Sequence, residues 1–117
     1  MKKVYHLSSC STCQRILKEI NAIDFVLQDI KTEAISESQL EEMYKFTSSY
    51  EALFSKRAMK YKSMGLKGEN LQEEDFKHLI LEDYTFLKRP LFIINDEVYV
   101  GNSKKVIEAV KNTLSNE

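Results

Sequence analysis

The chain has 117 residues, 43% of them hydrophobic, with 17 Lys or Arg against 18 Asp or Glu and a net charge of −1. That length suits one domain with a core of its own, and the composition excludes a disordered chain or a disulfide-stapled miniprotein. The charge balance excludes a general nucleic-acid binder, and the longest purely apolar run, Leu-Phe-Ile-Ile at 91–94, is too short to cross a membrane, so no direct contact with either is expected.

The chain opens Met-Lys-Lys-Val-Tyr-His, without an apolar signal region, so no secretory leader is expected. Val4 and Tyr5 mark a strand over 3–7. The small polar residues Ser8, Ser9, Ser11 and Thr12 break it and suit a helix start. Beyond Cys13, Ile16, Leu17, Ile20 and Ile23 recur at helical spacing, with Arg15, Lys18 and Glu19 off that stripe. Residues 25–30 predict a second strand. Strand, helix, strand within thirty residues favours a parallel pair joined by a right-handed crossover.

The middle predicts helices. Ser36 and Gln39 fit a capping box, followed by an apolar face of Leu40, Met43, Tyr44 and Phe46. Tyr50, Leu53 and Phe54 form a further short helical patch. Lys56, Arg57, Lys60, Lys62 and Lys67 then follow without an acid among them, with Met59 and Met64 interspersed and Gly65 as a stop. This basic segment reads as a solvated helix face, as an anion site or as a docking patch. Asn70 is the predicted cap of a helix over 71–81, with Gln72, Glu73, Glu74 and Asp75 at the positive end of its dipole and Phe76, Leu79 and Ile80 as its buried stripe.

The last third returns to strands. Residues 91–94 read as a central strand buried on both faces. Asn95, Asp96 and Glu97 turn the chain into a shorter strand, 98–100, ending at Gly101. Ser103 caps a final helix carrying Val106, Ile107, Val110 and Leu114. The order β-α-β, helices, β-β-α predicts an α/β chain of the thioredoxin type. A four-stranded mixed sheet is shared by the two halves of a single domain over 1–117, with a helical insertion at about 36–82 between them.

Cys10 and Cys13 are the only cysteines, set at the predicted strand-to-helix junction. With His6 and His78 as the sole histidines, neither at finger spacing, a metal site is not expected. A Cys-x-x-Cys at a helix start has a mechanism. Free N–H groups and the helix dipole favour the Cys10 thiolate, and Cys13, one turn on, resolves a mixed disulfide. Backbone N–H groups with the Ser11 and Thr12 hydroxyls can hold an oxyanion. The bland alternative is a pair of neighbouring core cysteines. Two close cysteines and no others point to redox chemistry in the cytoplasm. Pro90, the only proline, precedes the third strand, where this fold carries a cis proline beside its cysteine. Arg89 then points towards Cys10, able to lower its pKa or grip an oxyanion; otherwise it is a surface arginine.

Taken in order, Tyr5-His6, the Cys10-Ser11-Thr12-Cys13 loop, the central segment through Gly65-Leu66, Lys88-Arg89-Pro90-Leu91 and the hairpin ending Val100-Gly101 resemble the arsenate reductase/Spx family of thioredoxin-fold proteins. The resemblance implies that Cys10 is the catalytic cysteine, that Arg89 is the arginine before the cis proline Pro90, and that His6 helps tune the thiol. It implies no bound metal or organic cofactor, but an external thiol reductant, thioredoxin or glutaredoxin with glutathione, and a small oxyanion or disulfide substrate. Glutaredoxin-dependent arsenate reductases carry a serine where Cys13 stands, an arginine where Gln14 stands, and three arginines around the oxyanion. Here Arg89 covers one, the mid-chain position falls near Ser55 beside Lys56 and Arg57, and the third falls near Gly101 and Asn102, where there is none. The Cys-x-x-Cys form is shared with Spx, a redox-sensing regulator that binds the RNA polymerase α subunit. The resemblance therefore implies a thiol–disulfide oxidoreductase, or alternatively such a regulator.

Overall fold

The computed structural model describes residues 1–117. They form two compact units, Met1–Glu33 with Arg89–Glu117, and Ala34–Lys88. The second contains the stretch expected as an insertion.

The first unit is built on one sheet. β1 (Lys2–His6) leads to α1 (Ser11–Glu19) and β2 (Val26–Asp29); after the second unit come β3 (Leu91–Ile94), β4 (Glu97–Val100) and α5 (Lys104–Ser115). The strand order is β2-β1-β3-β4. β1 runs parallel to β2, pairing Val4 with Leu27 and His6 with Asp29, and antiparallel to β3, pairing Tyr5 with Leu91. β3 and β4 close an antiparallel hairpin through Asn95, which takes the left-handed conformation at φ 56°. Asparagine enters that region more readily than other non-glycine residues, and here its Oδ1 accepts from the Met1 amino group at 3.0 Å. This is the expected α/β arrangement, a four-stranded mixed sheet carrying helices.

One face of the sheet is covered by α1 and α5. Ile16 and Ile20 from α1, and Ile107 and Val110 from α5, pack with Val4, Phe25, Phe92 and Ile94. β3 is central and all four of its residues are buried, as a run of four apolar residues requires. Ser103 caps α5 as expected, its Oγ accepting the Val106 N–H at 3.2 Å. Two expectations change at the sheet's edge. α1 ends at Glu19, so Ile23 falls in a 3-10 turn and lies 81% exposed instead of extending the stripe. The second strand is shorter than 25–30, and Val26 and Leu27 on it face solvent while Gln28 is buried. An edge strand has a neighbour on one side only, and the Gln28 amide is held by the Glu33 carbonyl at 3.1 Å.

The second unit is helical. α2 (Glu37–Thr47) starts with the expected capping box: Ser36 Oγ accepts the Gln39 N–H at 3.0 Å, and Gln39 Oε1 accepts the Ser36 N–H at 3.1 Å. Leu40 and Met43 are buried, but Phe46 is 38% exposed, since its position rotates off their stripe. α3 (Met59–Ser63) is a single turn and more, stopped by Gly65 at φ 69°, and Met59 and Met64 beside it are exposed. α4 (Glu73–Glu82) begins later than expected. Asn70 does not cap it; Gln72 precedes it, and Asp75 reaches back to accept the Gln72 N–H at 2.8 Å. The core gathers on Phe54, whose ring stacks on Phe86 at 5.0 Å between centroids and tilts against Phe76 at 4.9 Å.

Asp83 ties this unit together after α4. Its carboxylate accepts Lys60 Nζ–H, the Thr85 N–H at 2.9 Å and the Thr85 hydroxyl at 2.6 Å. Partial burial pushes its pKa up, but these donors outweigh it and bring the carboxyl down to about 2 from 3.8. A depressed carboxyl stabilises the fold above its unfolded pKa, and that contribution disappears as pH falls through the folded value. Asp83→Ala is expected to cost about 1–2 kcal/mol at pH 7, with the gap to wild type closing between about pH 4 and pH 2. Urea unfolding across that range checks this; a gap independent of pH excludes the carboxylate as its source.

Candidate active site

The antiparallel pairing of β1 with β3 sets the end of β1 beside the start of β3. The loop that follows β1 and the residues that precede β3 therefore share one end of the sheet. The first carries Cys10 and Cys13; the second carries Arg89 and Pro90, joined by a cis peptide bond. So residues 79 positions apart in sequence enter one site.

Cys10 is the N-cap residue of α1, with extended backbone at φ −94° and ψ 114°. An extended N-cap leaves its side chain over the first turn, where N–H groups have no helical partner. Its sulfur closes no side-chain cap of full hydrogen-bond geometry, yet the N–H groups of that turn act on it. Burial pushes the Cys10 thiol up. The Cys13 N–H, the Cys13 thiol, the Thr12 N–H and the charge of Arg89 pull it down, and together they win. Cys10 is thus held below an ordinary thiol.

Cys13 sits inside the helix with no exposure. Burial and the neighbouring Cys10 raise it to about 11, against the smaller pull of the Leu7 backbone and of Arg89. The two sulfurs are free thiols of opposite character. One is half-buried and lowered; the other is enclosed and raised.

Thr12 acts on Cys10 through its backbone, and Ser11 is exposed at the first position of α1. Arg89 is half-buried and bears on both thiols. Pro90 is buried at the entry to β3. His6 is buried, its Nδ1 without a hydrogen bond, and its nearest register partner across the sheet is Asp29, on whose carboxyl it acts electrostatically. Two further side chains reach the loop unannounced by the sequence reading. Asp29 accepts the Ser8 hydroxyl, and Gln14 Nε2 donates to the Ser8 carbonyl at 3.2 Å. The parallel register of the first two strands is the signal that places Asp29 there.

The chain is similar to known proteins. The ArsC family model matches residues 5–110. A global transcriptional regulator, Spx 2 of Bacillus anthracis, is 23% identical over 104 residues, covering 86% of this chain and 79% of that protein. Among solved structures, an arsenate reductase from Vibrio cholerae superposes with a TM-score of 0.75 at 18% identity, covering 95% of each chain. An arsenate reductase-related protein from Brucella melitensis superposes with a TM-score of 0.70 at 21% identity, covering 92% of each. These superpositions speak for the fold. Because the family model runs through the Cys10 loop, both halves of the sheet and most of α5, the chain belongs to the ArsC family.

Proposed function

We propose that this protein is a thiol–disulfide oxidoreductase of the reducing cytoplasm, with Cys10 as nucleophile and Cys13 as resolving thiol. The inequality of the two sulfurs carries this reading: the half-buried one is lowered and the enclosed one is raised to about 11. The Cys10 thiolate attacks one sulfur of a substrate disulfide. The S–S bond breaks, its far sulfur leaves as a thiolate, and Cys10 is held in a mixed disulfide. Cys13 then loses its proton and attacks Cys10 Sγ, expelling the second substrate thiolate. The Cys10–Cys13 disulfide that remains takes two electrons from an external dithiol, thioredoxin, or from glutaredoxin with glutathione. Arg89 and the N–H groups of Thr12 and Cys13 stabilise the charge on Cys10, and Ser11 and Thr12 border the space the substrate enters. His6, at the end of β1, and Pro90, at the entry to β3, tune the thiol in this reading.

The assay supplies NADPH with the thioredoxin or the glutaredoxin system, and offers either a small disulfide or arsenate. Cys13-dependent reduction of the disulfide supports the reading; arsenate turnover that survives Cys13→Ser replaces it with a one-cysteine oxyanion reductase. With the disulfide substrate, Cys13→Ser is expected to stop turnover and to accumulate a mixed disulfide on Cys10, visible as a mass increase that dithiothreitol removes.

The likeness to the Bacillus anthracis regulator supports a second reading. In it the same pair is a redox switch on a protein that binds the RNA polymerase α subunit. A pull-down with that subunit's C-terminal domain, before and after oxidation, separates the two: binding without disulfide turnover favours the regulator.

A further inference from the structure

The turn that delivers Cys10 to the helix start is held from outside the Cys-x-x-Cys. Ser8 lies at its crest and is exposed, yet every polar atom of Ser8 is engaged. Its hydroxyl donates to Asp29 Oδ2, and its N–H points to Asp29 Oδ1 at 3.4 Å. Its carbonyl accepts the Gln14 side-chain amide at 3.2 Å. Two residues on, the Cys10 N–H donates to the Leu7 carbonyl at 3.0 Å, closing the turn.

Asp29 is itself fixed. It is the last residue of β2, paired with His6, and the Ile30 N–H beyond it donates to the His6 carbonyl at 2.9 Å. Its Oδ1 also accepts the Lys31 N–H at 3.2 Å, and its carbonyl accepts the Glu33 N–H at 2.8 Å. The carboxyl is held below its ordinary range by the Ser8 hydroxyl first, against a smaller push from burial, with the Lys31 and Ser8 N–H groups adding to it. It is therefore an acceptor at neutral pH, and both of its oxygens face the Cys10 turn or its own strand end.

We propose that Ser8 and Asp29 form a clasp between β2 and the turn entering α1, and that Asp29 is a positioning residue for Cys10. The clasp holds residues 8–10 so that the Cys10 sulfur stays over the N–H groups of Thr12 and Cys13. It supplies no favourable charge to that sulfur. A carboxylate disfavours a thiolate, so whatever charge effect Asp29 exerts on Cys10 runs against the geometric one. This inference rests on reading Cys10 as the nucleophile, and extends it to a residue in another strand.

The two contributions have opposite signs, which makes the test decisive. Full-length reduced protein is alkylated with iodoacetamide across a pH series, and the rate at Cys10 is read by peptide mass. Alkylation follows the thiolate, so the midpoint of the profile reports the ionisation of Cys10 whatever its substrate. Ser8→Ala and Asp29→Ala are expected to move the midpoint upward by about half to one pH unit, as the sulfur loses its aligned donors. Asp29→Asn keeps an oxygen for the Ser8 hydroxyl and removes the charge, so its midpoint is expected to stay or fall. If Asp29→Ala and Asp29→Asn both move it down, Asp29 acts by charge alone and the clasp is refuted. If none of the three moves a depressed wild-type midpoint, the clasp is refuted and the nucleophile reading survives. A wild-type midpoint at the ordinary thiol value overturns both. Ser8→Ala, in an exposed turn, keeps the test open if the Asp29→Ala protein does not fold.

Discussion

Cys10→Ser is expected to lower disulfide-reducing turnover at least about a thousandfold, to the level set by Cys13 alone. The geometry explains why Cys13 cannot substitute. It has no exposed surface, and its thiol is raised to about 11, so at neutral pH it is both shielded and protonated. Removing Cys10 also removes one of the groups that raise Cys13, so the remaining thiol should ionise somewhat more readily than before. That gain leaves its burial untouched. The variant should fold normally, since serine at an N-cap position is among the favoured residues there. Thermal melts alongside the coupled assay distinguish loss of chemistry from loss of structure. Residual turnover above a tenth of wild type would assign the nucleophile to another group.

The largest stability effect is expected at Phe92. It is fully buried at the centre of β3, paired with Val4 on one side and Tyr99 on the other. Its ring meets Phe25 edge-on, with centroids 6.0 Å apart and planes at 78°. It also joins the residues from both helices that cover this face of the sheet. Phe92→Ala removes the ring and leaves a cavity that the surrounding strands cannot close. The expected loss is about 3–5 kcal/mol. Domains of this size are typically stable by about 5–15 kcal/mol, so the variant should sit near the edge of folding at 37 °C. Phe92→Leu should recover much of the difference. Urea midpoints measure both; a cost for alanine below about 1 kcal/mol would show that this face is not the core.

What the sequence made legible is what depends on neighbours along the chain. The Cys-x-x-Cys at a strand-to-helix junction, the capping box at Ser36, the cap at Ser103 and the four buried residues of β3 all follow from local composition and spacing. The misplacements share another cause. Ile23 fits the α1 stripe by count, but the chain leaves the helix at Ile20 and turns at Asn21, φ 56°, before reaching it. Asn70 is a good cap by residue type, yet Asp75, further on, holds the backbone at Gln72 instead. Gln28 is buried beside exposed Val26 and Leu27 because an edge strand's surroundings are set by tertiary packing, which hydropathy does not encode. The Ser8–Asp29 contact spans 21 residues and depends on the parallel register of β1 and β2. No window along the chain contains both partners, whereas Cys10 and Cys13 announce themselves within four residues.

The sheet-bearing unit is interrupted: its first part ends at Glu33 and its second begins at Arg89. During synthesis the Cys10 turn, β1 and β2 are made early, while β3, β1's other neighbour, is made only after the whole second unit. At about 5–20 residues per second, the 79 residues from Cys10 to Arg89 take roughly 4–16 s to polymerise. Throughout that interval the nascent chain carries Cys10 without Arg89, one of the groups that lower its thiol in the finished fold, on a two-stranded fragment too small to be stable alone. The four-stranded sheet and the meeting of Cys10 with Arg89 therefore wait on the residues from 89 onward, and a chain halted before Arg89 is a cysteine-bearing fragment with no completed sheet to hold it.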